Sequence, residues 1–98
     1  MYIVRDIFNL RYGHFRPVKA MMEEAMKMNM MPTAKSMRVL SDFTGDAYRL
    51  IMETTFDSLS DFEKEITSDT SNPGWQDWYK KFIEHVNSGH REILKVIM

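Results

Sequence analysis

Phe56-Asp57-Ser58-Leu59-Ser60-Asp61-Phe62, followed after a polar gap by Asn72-Pro73-Gly74-Trp75-Gln76-Asp77-Trp78, fixes the order of elements in this chain. An alternating run ends at Phe56, and Asp57 or Ser58 then offers a side-chain oxygen to cap a helix. Ser58 and Asp61 have capping-box spacing, with Asp where Glu or Gln is usual. Leu59, Phe62 and Ile66 give this helix a narrow apolar edge, and the polar stretch Thr67 to Ser71 is expected to break it. Asn72 is a good N-cap and Pro73 a good first helical residue, because the N–H that proline lacks has no partner there anyway. The new helix is expected to end near Ser88-Gly89. Its Trp75, Trp78, Tyr79, Phe82, Ile83 and Val86 recur at the spacing of a buried helical stripe.

Upstream, Tyr2 to Asn9 is β-branched and aromatic, with Val4 and Phe8 on one face and Ile3 and Ile7 on the other, as in a strand covered on two sides. Tyr12-Gly13-His14 reads as a turn. Pro17 is tolerated in a first turn, so a helix is expected from about Phe15 to Met28, with Phe15, Val18, Met22, Ala25 and Met26 as its apolar stripe. Met30-Met31-Pro32 ends that region. Lys35 to Phe43 and Tyr48 to Phe56 both alternate, and Thr44-Gly45-Asp46 joins them as a hairpin. Glu92 to Met98 closes the chain as a strand.

The order is β-α-β-β-α-β with a split second helix, an α+β arrangement of the ferredoxin-like kind with an antiparallel sheet. Helices cover one face of such a sheet, yet these strands carry apolar residues on both. Nothing in a single 98-residue domain is left to cover the second face, so a second copy related by two-fold symmetry is expected to do so. Two sheets packed face to face form a barrel with helices outside.

Composition narrows the function. Thirteen basic and fourteen acidic residues leave a net charge of -1 with no Lys/Arg block, which argues against nucleic acid as a partner. No run approaches the roughly 18 to 20 apolar residues of a membrane span. A soluble, cytoplasmic protein is expected, and the zero cysteines agree with a reducing compartment while excluding thiol nucleophiles and disulfides.

The strand ending at Phe56, Ser58-Leu59-Ser60-Asp61-Phe62, and Pro73-Gly74-Trp75 with Phe82 beyond resemble the dimeric α/β barrel superfamily, and within it most closely the NIPSNAP-like group. The resemblance spans almost the whole chain. It implies a homodimer with a cleft between helices and sheet in each subunit, and no single chemistry, since the fold hosts unrelated functions. Relatives of this fold include small-quinone and heme-degrading monooxygenases. The heme degraders share an Asn on the first strand with a Trp and a His on the second helical region, which Asn9, Trp75 and His85 superficially match. Aligned from Phe62 onward, however, the Trp position falls near Glu65 and the His position near Trp75 to Trp78, so heme degradation is not assigned.

Trp75 and Trp78, with Met22 and Met26 opposite and Asn9 at the first strand, are the candidate binding residues for a small apolar or aromatic molecule; the competing reading is ordinary core packing. His14 and His85 are the candidate proton-handling groups of a cofactor-independent monooxygenase or isomerase. The simpler alternative makes His85 a half-exposed helix residue and His90 a favourable charge near a helix C-terminus. His85 and His90 do not share a helical face, and no metal or cofactor site is expected. Arg38, Arg49 and Glu53 could together clamp a substrate, but Arg49 and Glu53 are expected instead to form salt bridges within the dimer barrel or at its rim. A third reading is an interaction module whose Trp and Met residues only fill space.

Overall fold

Seven elements follow one another: β1 (Tyr2–Leu10), α1 (Phe15–Lys27), β2 (Ser36–Ser41), β3 (Arg49–Phe56), α2 (Leu59–Ser71), α3 (Pro73–Ile83) and β4 (Val86–Lys95). The computed structural model describes residues 1–28, 34–45 and 48–98, so the expected stop at Met30-Met31-Pro32 and Asp46 of the hairpin turn lie outside the described residues. The strands form one antiparallel sheet in the order β2-β3-β1-β4. This is the ferredoxin-like arrangement.

Successive side chains of a strand point to opposite faces. On the helix side, Leu10 and Leu50 pack with Val18, Met22 and Ala25 of α1 and with Trp78 and Phe82 of α3. Phe56 meets Phe62 of α2 edge-on. All three helices therefore sit on the face that carries Val4, Asp6, Phe8 and Leu10. The α1 stripe is buried as expected at Val18, Met22 and Ala25, whereas Met26 is 53% exposed.

The other face carries rows that cross the strands. Arg38, Glu53, Arg5 and Glu92 stand side by side in register, one from each strand. They form an alternating ion-pair ladder: Arg38 and Arg5 both bond Glu53, the latter at 3.0 Å, and Arg5 reaches Glu92 at 3.5 Å. Next to it run Leu40, Ile51, Ile7 and His90. The Arg38 guanidinium holds the Glu53 carboxyl below its usual range, with Arg5 adding to the effect against the opposing cost of burial. Arg49 instead pairs with Asp42 at 2.9 Å. The expected ion pairing is present, with these partners.

The helix caps are as read. Ser58 Oγ accepts from the Asp61 N–H at 3.1 Å, and Asn72 Oδ1 accepts from Gly74 and Trp75 at 2.9 and 3.4 Å. Several boundaries differ. The stretch Thr67 to Ser71 continues α2, because the hydroxyls of Thr67, Thr70 and Ser71 donate back to carbonyls three or four residues earlier and need no other partner. The last helix stops at Ile83 rather than at Ser88-Gly89, and β4 begins at Val86 rather than Glu92. Gly89 there is no helix stop but a strand residue lying under Phe8: a Cβ on it would meet Phe8 Cδ1 at 2.9 Å.

Candidate functional site

A cleft of about 500 Å³ opens between α2, α3 and the helix side of the sheet. The caps at Ser58 and Asn72 aim the two helices that wall it. Its aromatic lining comes from Phe8, Phe62, Trp75, Trp78, Tyr79 and Phe82. One turn apart on α3, Trp75 and Tyr79 stack with centroids 4.8 Å apart and planes 9° from parallel, and Trp78 stacks on Phe82 at 5.1 Å. Trp78 is nearly buried and its indole N–H donates to the Met21 carbonyl at 2.9 Å, so it joins core and cleft and is held in place. Trp75 is half-buried and also lines the cleft. Whether these rings serve core or cleft thus has a divided answer: Trp78 serves both.

Polar groups punctuate this lining. Asp6 on β1 receives Arg91 Nε of β4 at 2.5 Å, and the Arg91 guanidinium lies 5.3 Å from the Phe62 ring centroid. On α2, Glu65 and Asp69 sit one turn apart, 3% and 8% exposed, and both line the cleft. Burial, with the Glu65 charge adding, pushes the Asp69 carboxyl up from 3.8 to about 6. Acid–base behaviour near neutrality therefore resides on a residue that the sequence presented only as part of a polar, helix-breaking stretch. The signal available was the i, i+4 spacing of Glu65 and Asp69 behind the apolar edge.

The remaining candidates lie elsewhere. Met22 is in the core beneath α1, Met26 is exposed, and neither lines the cleft. Asn9 Nδ2 donates to Ser88 Oγ at 2.9 Å between adjacent strands, and Asn9 also stands outside the lining. His14 precedes α1 and His85 lies between α3 and β4. Their Nδ1 atoms meet at 2.9 Å, which joins two chain turns away from the cleft. Among the described residues, no three His, Asp or Glu side chains converge as metal ligands, and no helix is long and apolar enough to cross a membrane.

No family model and no curated protein matches the sequence. The fold has many solved counterparts. An uncharacterised NIPSNAP-domain protein from Burkholderia xenovorans superposes with a TM-score of 0.87 at 11% identity, covering 98% of this chain and 94% of its own. A NIPSNAP family protein of unknown function from Agrobacterium tumefaciens gives 0.88 at 14% identity over 98% and 87% of the two chains. An antibiotic biosynthesis monooxygenase gives 0.77 at 10% identity over 100% of both. At such identities the likeness concerns the fold alone, the ferredoxin-like fold that this chain shares with the NIPSNAP-domain proteins.

Proposed function

We propose that this protein binds a small, flat, largely apolar molecule in the cleft between α2, α3 and the sheet. The observation that carries this reading is the cleft itself: about 500 Å³, walled by stacked aromatic pairs and punctuated by a few convergent polar groups. Its size is that of ordinary small-molecule sites, roughly 300 to 1,000 Å³. A pure space-filling role for the aromatic stripe leaves this opening without an explanation. An oxygenase or isomerase working through His14 or His85 draws on the names of several structural neighbours, but neither histidine lines the cleft.

A homodimer is part of the same proposal. Ile3, Ile7, Ile51 and Leu40 stand on the helix-free face of the sheet around the ion-pair ladder, and a second copy is the partner that would cover them.

The test is a titration of intrinsic tryptophan fluorescence with naphthyl probes, beginning with neutral 2-naphthylmethanol. Saturable quenching that weakens in Trp75→Ala is expected. Only linear, non-saturating quenching with every naphthyl probe, unchanged by the substitution, would remove the proposal.

A further inference from the structure

One buried acid of the cleft, Asp69, stands without a counter-charge among the described residues. Asp6 and Arg91 neutralise one another at 2.5 Å, and Arg91 is further occupied by the face of Phe62. No lysine lines the cleft. That leaves Asp69 of α2 as the acid that sets its sign. Asp69 is more than nine-tenths buried, lines the opening, and its carboxylate has no hydrogen-bond or ion-pair partner among the described residues. A carboxylate on the wall of an open cleft, with no donor from the described residues, is free to accept a hydrogen bond from a ligand. The aromatic rings that frame it present negative π faces, which attract a cation rather than an anion.

We propose that the ligand of this cleft carries a positively charged amino group on its aromatic frame, and that Asp69 is the anchor for that group; this rests on the reading of the cleft as a small-molecule site. The ring slides between the walls built by Trp75, Tyr79 and Phe62, and the ammonium donates to the Asp69 carboxylate. A neutral ring of the same shape gains the stacking and forgoes the charge-assisted hydrogen bond.

Binding of such a ligand is linked to a proton. The titratable and charged groups on the cleft side with Asp69 are Glu65 on its own helix, Tyr79 on α3, Asp6 on β1 and Arg91 on β4, while the side chain of His90 belongs to the opposite face of the sheet; the residues that β3 contributes to the cleft, Met52, Thr54 and Phe56, do not titrate. Below about pH 6 the empty site holds Asp69 protonated. A bound cation favours the carboxylate, so the complex forms with release of a proton, and affinity rises as pH is raised from 5 to 7.

The experiment compares 2-naphthylmethylamine, 2-naphthylmethanol and 2-naphthoate, cationic, neutral and anionic versions of one frame, by fluorescence and by calorimetry in buffers of different ionisation enthalpy. The amine is expected to bind about tenfold or more tightly than the alcohol at pH 7.5, with proton release near pH 6. Asp69→Asn should bring the affinities of amine and alcohol to parity and abolish the proton release. Equal affinity of amine and alcohol, or preference for the naphthoate, overturns the amine assignment and leaves the cleft reading standing. Absence of saturable binding by all three overturns both. Proton release by the unmodified protein is read without any variant, so misfolding of Asp69→Asn cannot rescue the proposal.

Discussion

His14 and His85, 71 residues apart in sequence, face one another Nδ1 to Nδ1 at 2.9 Å, with ring centroids 5.1 Å apart. Such a contact works only if one nitrogen carries the proton and the other is bare. The backbone supports the same junction, because the Arg11 N–H donates to the His85 carbonyl at 2.8 Å. The pair fastens the entry to α1 to the exit from α3. Replacing either histidine by alanine should cost about 1 kcal/mol, and the double replacement little more than either alone. Denaturant unfolding of the two single variants and the double variant checks the coupling; strict additivity would mean that the rings do not act as a pair.

Glu53 stands between two arginines whose side chains are 39% and 66% exposed, so solvent screens much of their attraction. Its folded pKa is depressed below 4.5, which means that the pair stabilises the fold above that pH and ceases to as pH falls through the lower, folded value. Glu53→Gln is expected to lose about 1 kcal/mol at pH 7 and almost nothing in strong acid. Thermal unfolding of both proteins between pH 2 and 7 reads the difference.

Asp69 has the opposite sign. Its folded pKa, about 6, lies above the unfolded 3.8, so the favourable contribution belongs to the protonated form, is complete below 3.8, and disappears as pH rises through about 6. Asparagine, which resembles the protonated acid, should therefore raise stability at pH 7.5 by on the order of 1–2 kcal/mol and by close to nothing at pH 4. A variant less stable than the parent at pH 7.5 would show that the carboxylate is structurally required.

Gly89 leaves room for the Phe8 ring on the cleft floor. An added methyl would come 2.9 Å from Phe8 Cδ1 and 3.3 Å from the Ile7 carbonyl, and the backbone oxygen cannot easily yield. Gly89→Ala should destabilise by about 1–3 kcal/mol and displace Phe8 into the cleft, weakening probe binding. Chemical denaturation and a 2-naphthylmethanol titration test the two effects separately.

Ile51 lies between Leu40 and Ile7 in the apolar row beside the ion-pair ladder. If a second copy covers that face, Ile51→Lys buries a charge without a partner and should shift a dimer to monomer in analytical ultracentrifugation. A parent protein that sediments as a monomer would dispose of the dimer.

The parts of the fold that could be read from the sequence were those set locally. Asn72-Pro73 starts a helix through its own side chain and ring, and the alternation of Tyr48 to Phe56 needs only a pleat and a core to become β3. The C-terminal strand was harder because β4 is an exposed edge: none of its residues is buried, and Ser88-Gly89 imitates a helix stop. The site was hardest of all. Trp75 and Trp78 announced themselves by spacing, but Asp6, Arg91 and Asp69 meet only through tertiary packing, 85 residues separating Asp6 from its arginine. The histidine pair was invisible for the same reason. Periodicity puts Met22 and Met26 on the apolar side of α1 but does not tell which neighbour that side meets, and neither residue reaches the cleft.

Asn72 ends α2 with its backbone N–H on the Asp69 carbonyl and begins α3 with its side chain on the Trp75 N–H, at 3.1 and 3.4 Å. One residue thus ties the buried acid directly to the start of the aromatic wall. The distance from charge to ring is inherited from chain connectivity, like the gap between two teeth cut on one gear, and does not depend on how the core beneath is filled. Side chains of the wall, Trp75 and Tyr79 among them, are then exchangeable parts on a fixed mount, which makes this cleft a natural starting point for redesigned specificity.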